Sequence, residues 1–517
     1  MPFLDLPHEI LQQIISYLLS NGDVAALSIQ CRKLHVMCDM RVRQKYEHII
    51  VYCEEGHIDN VFELLMNILK SPILGQYVRR IECSVPETTD VVYKEVKYQR
   101  DLSNEEMDLV RKTVRKAGFI GPKEEQIVNM LMQRITKEGP LTIMLIVVSP
   151  NLTSIAFPSF TYHDWKFPLA QFLTEANASP ENKPYLRLLR DIDLIYQKRW
   201  YWWNGQWFFM QMDLFDSLSY LDNLLSIESV NADIVDDDTF TEHDFRVGYS
   251  NISRMAIDYS DLESLSLAVL ISSFKVLREF IYYAGRLSCD TPFNPKTFFK
   301  AMCRHKDTLE ILDVDVACQF NLLNIRYAHD REYAMDVSER DYGHYPNKER
   351  DKFLSLVQSH KDTLKDFVAL KRLSMGIDML LYFAKGNTSY YRWQPPGGPK
   401  KIHLIHCLPD SLEYLCVRGY CKGENREHDV HMDGLLALFK SGSSSLKEVK
   451  GIEETIPFVC RGDEVQHDPR VWALGPGSDS ESESGVQSGF ESEIVSGAES
   501  EVESEVESEV ESASESD

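Results

Sequence analysis

The sequence lacks every short signature by which the common enzyme classes announce themselves. It has no Gly-x-Gly-x-x-Gly, no phosphate loop, no His-Glu-x-x-His and no Gly-x-Ser-x-Gly, which removes the usual arguments for nucleotide binding, zinc proteolysis and serine hydrolysis. Its 11 cysteines are odd in number, scattered, and form no Cys-x-x-Cys pair. That pattern predicts free or buried thiols in a reducing compartment and excludes a disulfide frame. Long apolar runs are missing too. The longest, residues 143–148, is far short of the roughly 20 residues a membrane helix needs, and Asp5, His8 and Glu9 interrupt the N-terminal apolar stretch where a signal peptide would need continuity. The expectation is a soluble protein of the cytoplasm, the nucleus or both, with no membrane partner.

Positive charge is the next deficit. Fifty-five Lys and Arg stand against 80 Asp and Glu, for a net charge of −25. Residues 478–517 hold fourteen acids and no base, which leaves −11 for residues 1–477. With no basic stripe on the folded part, a nucleic-acid partner is not expected. Metal ligands are weakly arranged as well. Cys421, His428 and His431, with His403 and His406 upstream, could in principle ligate a metal, but Cys421 has no close second cysteine, and solvated histidines in a charged loop are the simpler reading. No metal, cofactor or catalytic residue is assigned, and the chain is expected not to be an enzyme.

What the sequence does have is concentrated at its N-terminus. Residues 6–34 form a helical block with more apolar positions than one packing face needs. Ile10, Ile14, Tyr17 and Leu18 recur at helical spacing as one stripe, and Leu11, Ile15 and Leu19 make a second beside it. Pro7 suits a helix start, and Glu9 lies where the helix dipole favours a negative charge. Asn21-Gly22-Asp23 is expected to break the helix, with Gly22 at positive φ and Asp23 capping the next one. Val24, Leu27 and Leu34 continue the apolar pattern on two further short helices separated by Cys31-Arg32-Lys33. An apolar surface this wide points to a partner protein.

At these residues the chain resembles the F-box family: Leu6, Pro7, Glu9 and Ile10, then Tyr17 and Leu18, then Asp23 and Leu27, and finally Cys31, Arg32 and Leu34 occupy the family's pattern in order. Val24-Ala25-Ala26 departs from it, standing where larger leucines are common. The resemblance implies docking onto a Skp-family adaptor, and through it a cullin, in a ubiquitin ligase of the SCF type. On that reading Leu6, Pro7, Glu9, Ile10, Ile14, Tyr17, Leu18, Asp23 and Leu27 are the adaptor-binding residues, and ubiquitin chemistry resides on other subunits.

The middle of the chain repeats a leucine phrase. Leu152, Leu262, Leu309 and Leu412 each open an x-Leu-x-x-Leu/Ile-x-Leu run or a close variant, and Leu277 and Leu364 open weaker ones. Each phrase reads as a short strand with alternate residues inward. Residues 61–78 read as an amphipathic helix ended near Ser71-Pro72, followed by Arg79-Arg80-Ile81-Glu82-Cys83 as the first strand, and residues 298–303 and 432–439 supply later helices. The spacing of the phrases keeps no fixed period. Two architectures remain open: an irregular leucine-rich-repeat-like α/β solenoid, or core strands of an ordinary α/β domain. The stretch Leu408-Pro409-Asp410-Ser411-Leu412-Glu413-Tyr414-Leu415 resembles phrases common in fungal F-box proteins. The expected organisation is therefore α/β overall: a three-helix all-α F-box at 1–46, a leucine-rich-repeat-like substrate-recognition region at 47–475, and a disordered acidic Ser/Glu tail at 476–517.

Four features stand outside that pattern. Residues 228–245 read as an acidic mobile loop, and residues 328–352 and 386–401 read as insertions able to carry binding function. Asn204-Gly205 between aromatic flanks predicts a hairpin pairing Trp200, Trp202, Trp207 and Phe209, as either a recognition surface or part of the core. In the tail, Ser500, Ser504, Ser508 and Ser512 each precede an acid by three residues, the spacing acidophilic kinases prefer; a plain solubilising tail is the alternative. The function expected is a substrate receptor for an unidentified protein substrate. A non-ligase scaffold using the same helices and repeat surface is the competing reading.

Overall fold

Alternation of aliphatic and polar residues in five-residue stretches drives this chain into strands, and amphipathic segments between them supply the crossovers that parallel pairing requires. The computed structural model describes residues 3–18, 21–52, 57–84, 102–132, 138–158, 169, 172–173, 185–195, 200–203, 206–209, 218, 226–233, 247–260, 262, 264–284, 293, 295–317, 363–385, 404–442 and 444–459. All of them belong to one unit, Met1–Asp463. The expected insertions at 328–352 and 386–401, and the acidic tail at 476–517, lie outside the described residues.

Four helices open the chain: α1 (His8–Tyr17), α2 (Asn21–Ser28), α3 (Arg32–Cys38) and α4 (Met40–Glu47). Asn21-Gly22-Asp23 does not break a helix, because all three residues lie in the first turn of α2 and Gly22 does not take a positive φ. Asp23 there favours the dipole from within the helix instead of capping it. The separator between α2 and α3 ends at Cys31, the N-cap residue of α3, so Arg32 and Lys33 are helical. Asp39, at φ 45° and ψ 51°, turns α3 into α4.

The strands that follow are β1 (His48–Tyr52), β2 (Arg80–Ser84), β3 (Ser154–Pro158), β4 (Asp191–Ile195), β5 (Trp200–Trp203), β6 (Gln206–Phe209), β7 (Ser229–Asp233), β8 (Arg254–Ser260), β9 (Glu279–Ala284), β10 (Ile311–Asp315), β11 (Arg372–Gly376), β12 (Tyr414–Arg418) and β13 (Glu448–Lys450). Eleven of them form one parallel sheet in strictly sequential order, β5 and β6 standing aside as an antiparallel pair. In that pair Trp200 faces Phe209 and Trp202 faces Trp207, as the Asn204-Gly205 signal predicts; the two turn residues lie outside the described residues.

Register runs unbroken across the large sheet. Ile49, Ile81, Ile155, Ile192, Val230, Met255, Phe280, Leu312, Leu373, Leu415 and Val449 make one continuous row. Three residues before each stands another apolar anchor: Tyr46, Val78, Leu152, Leu189, Ile227, Ile252, Leu277, Leu309, Leu370, Leu412 and Leu446. Both rows belong to, or pack on, a single core that also takes in the crossover helices. Those helices are α5 (His57–Lys70), α6 (Asn104–Lys116), α7 (Pro122–Met132), α8 (Glu138–Val148), α9 (Ser264–Ser273), α10 (Pro295–Met302), α11 (Ile377–Lys385) and α12 (Arg426–Ser441). Ser103 starts α6 with a reciprocal capping box to Glu106.

Several sequence expectations need correction. The phrase at Leu262 does not form a strand: Leu262 is buried and α9 begins two residues later, while the strand of that unit is β8. The phrase at Leu364 is a 3-10 turn, and the strand is β11, anchored by Leu370. Residues 80–84 form the second strand, because β1 precedes them. Residues 229–233 are β7, not a loop, and His428 and His431 sit on helix α12.

Candidate docking surfaces

The short helices α1 to α3 bury a small core of their own: Leu11, Ile15, Val24, Met37 and Cys38, with Leu6, Leu18, Leu27 and Met40 packed partly against it. Val24 is fully enclosed, so the small residues after it leave room on the outer side of α2 and no hole in the core. The two stripes of α1 therefore have opposite fates. Leu11 and Ile15 point inward, whereas Ile10 is 42% exposed and Tyr17 72% exposed, with Ile14 half-buried between them. Pro7, Glu9 and Asp23 are exposed; Leu6, Leu18 and Leu27 are only partly so.

Four apolar residues not picked out from the sequence join this exterior: Phe3, Leu4, Ile29 and Val36. Six of the twelve large apolar side chains exposed among the described residues thus lie within residues 3–36. They escaped a periodicity search because helices of seven to ten residues offer too few turns to separate an inner stripe from an outer one. Lys33 ties the N-terminal turn to α3 by donating to the Leu4 carbonyl at 2.7 Å.

Residues 3–43 match the F-box-like family model. No curated protein matches the chain. The F-box-like segment is joined to the sheet by α4. Arg43, buried on that helix, donates to the Cys38 carbonyl at 2.7 Å and lies over the Tyr77 ring at 4.4 Å, while Tyr46 enters the large core. A short helix leading without a linker into β1 gives the segment a fixed attachment.

The second surface is the face of the sheet that carries the first, third and fifth residue of each strand, opposite the two aliphatic rows. On its N-terminal half it is a polar network. His48 meets Glu82 at 3.1 Å, and Arg80 reaches Asp193 at 2.6 Å, Ser154 at 3.0 Å and Glu82 at 3.6 Å. Asn231 donates to the other Asp193 oxygen at 2.6 Å. These groups are partly exposed and span five neighbouring strands.

On β9 to β12 the same face is deeply buried yet still polar. Arg418 lies 3.7 Å from Asp313 and donates to Ser374 Oγ at 3.2 Å. The Tyr283 hydroxyl donates to Asp313, and its ring sits 5.6 Å from the Arg418 guanidinium. Burial lifts the Asp313 carboxyl to about 6, with the Arg418 charge opposing that rise. Burial raises the Tyr283 hydroxyl in the same way, with the Asp313 charge adding to it. Asp315, next but one along β10, accepts from Ala317 N–H at 3.1 Å and from Val459 N–H at 2.6 Å.

Among the described residues no group of His, Cys, Asp and Glu is arranged to hold a metal ion. His428 instead faces Asp378 at 3.4 Å, and His403 lies outside the described residues. No described helix is long and apolar enough to cross a membrane.

Proposed function

We propose that this chain is a substrate-receptor subunit of an SCF-type cullin-RING ubiquitin ligase, working in the cytoplasm or nucleus. Its F-box-like segment docks on a Skp-family adaptor, which joins it to a cullin, and the remainder presents a protein substrate. The observation carrying this reading is the outward apolar face of Ile10 and Tyr17 on the segment that matches the F-box-like model. Such a surface is costly to leave in water and is characteristic of a protein interface. Pro7, Glu9, Ile14 and Asp23 complete the docking face; Leu6, Leu18 and Leu27 act from behind by holding the helices in place.

The sheet region reads as an irregular leucine-rich-repeat-like solenoid. Its support is the strictly sequential parallel order and the aligned aliphatic anchors, with helices packing on one face only. The opposite, polar face is the substrate surface. No reacting group is required of this chain, whose contribution is proximity and orientation.

Co-expression with the adaptor and cullin tests the assignment. Ile10→Ala with Tyr17→Ala should remove co-purification, since truncating a central interface aromatic costs upwards of about 2 kcal/mol, roughly thirtyfold in affinity. Undiminished assembly with both substitutions in place overturns the docking face. A folded wild-type chain that never joins adaptor and cullin favours the scaffold reading.

A further inference from the structure

Beyond β13 the chain doubles back across the sheet. After a turn at 451–455, Ile456 pairs in parallel with Arg418, and Gly419 N–H donates to the Ile456 carbonyl at 2.9 Å. Phe458 then lies over the ends of two strands: a Cβ added at Gly376 would stand 3.0 Å from its ring, and one added at Gly419 would fall inside it. Gly419 has φ +68°, so both conformation and space demand glycine there. Val459 N–H reaches Asp315 on β10. Residues 456–459 therefore cross the C-terminal ends of β12, β11 and β10 in that order.

We propose that these strand ends are a docking site for an extended protein segment bearing an aromatic side chain, and that residues 456–459 occupy it in cis as a tethered surrogate. The site has three parts: the Gly419 N–H for a backbone carbonyl, the platform of Gly376 and Gly419 for an aromatic ring, and the Asp315 carboxylate for a backbone N–H. Extended backbone meeting a sheet while a pocket reads one side chain is a recurring mode of peptide recognition. The occupant is weakly held. Glu453, Glu454, Thr455 and Pro457 are exposed, Ile456, Phe458 and Val459 are only half-buried, and Pro457 has no N–H with which to continue the ladder. Beside it lies the enclosed Arg418 and Asp313 pair, whose desolvation is costly; lifting the strap lets water return to these charges and offsets part of the contact it loses. Resting on the substrate-receptor reading, this assigns the substrate class: proteins offering an aromatic residue in an extended segment.

The test uses the full chain and a fluorescent peptide of residues 452–459. Phe458→Ala should vacate the site, so that the peptide binds the variant at least tenfold more tightly than it binds wild type. Adding Gly376→Ala, whose new methyl meets only the incoming ring, should weaken that binding tenfold or more. Absence of peptide binding to the Phe458→Ala chain, or binding indifferent to Gly376→Ala, overturns the proposal. Hydrogen exchange on the wild type gives an independent check: amides of 456–459 should exchange at least a hundredfold faster than those of β10 to β12, and equal protection identifies a fixed piece of the core. Neither readout involves the adaptor, so the outcome is separable from that of the Ile10 and Tyr17 experiment.

Discussion

Arg418 and Asp313 sit 3.7 Å apart on strands separated by β11, with 2% and 0% of their side chains exposed. A charge pair this deep is sustained by its mutual attraction and by the hydroxyls around it, Ser374 to the guanidinium and Tyr283 to the carboxylate. Removing one member strands the other in a medium that cannot solvate it. Arg418→Met should therefore cost about 3–5 kcal/mol, whereas Arg418→Met combined with Asp313→Leu should recover most of the loss. Urea midpoints of the two variants decide this; a double variant no better than the single one shows that the pair itself is not the source of the cost.

The same carboxyl gives the fold a distinctive acid response. Burial holds Asp313 at about 6, above its ordinary 3.8, so across that window the folded state binds the proton more tightly than the unfolded chain. Its contribution is most favourable below about pH 4, declines as pH rises, and is least favourable above about pH 6. Asp313→Asn removes this dependence. The stability of the variant minus that of the wild type should therefore rise between pH 4 and 6, and a flat or falling difference contradicts the assignment.

A third prediction concerns the attachment of the F-box-like segment. Arg43 combines a charged hydrogen bond to Cys38 with a face contact on Tyr77, and lysine supplies neither the planar stack nor the fixed fork. Arg43→Lys should cost about 1.5–3 kcal/mol locally, visible as faster hydrogen exchange in α1 to α3 and unchanged exchange in β9 to β12. Loss of protection throughout the sheet points instead to a general folding defect.

Much of this architecture was legible in the sequence, but unevenly. The phrases opened by Leu152, Leu277, Leu309 and Leu412 do precede strands β3, β9, β10 and β12. Those anchored by Leu189, Ile227, Ile252 and Leu370 were missed, three of them because burial asks for an aliphatic volume of the right size and not for a repeated leucine pattern: Val230 with Ala232, Met255 with Ile257 and Leu373 with Met375 serve equally well. Leu262 and Leu364 misled for the converse reason, being buried leucines of a helix approach and a turn. The irregular period follows from unequal crossovers: three helices separate β2 from β3, and one separates β9 from β10. On the docking face the sequence supplied both stripes of α1 but not their orientation, which α2 and α3 decide by covering Leu11 and Ile15. The strap of 456–459 left no periodic trace, since its contacts are backbone hydrogen bonds and one ring on glycine.

That orientation sets up the sharpest contrast available on α1. Leu11 and Tyr17 are large residues six apart on one ten-residue helix, one fully enclosed and the other mostly in solvent. Leu11→Ala empties space in a core of only five buried side chains and should cost about 2–5 kcal/mol, enough to unfold α1 to α3 while the sheet persists. Tyr17→Ala removes little from the folded monomer and should change stability by less than about 0.5 kcal/mol. Circular dichroism and hydrogen exchange on the isolated chain should separate the two variants clearly, yet both should fail to hold the adaptor, the first because the face is lost with the helices and the second because its side chain is missing from an intact face. If Tyr17→Ala proves as destabilising as Leu11→Ala, the outward stripe has a partner within the chain and is not free to meet another protein.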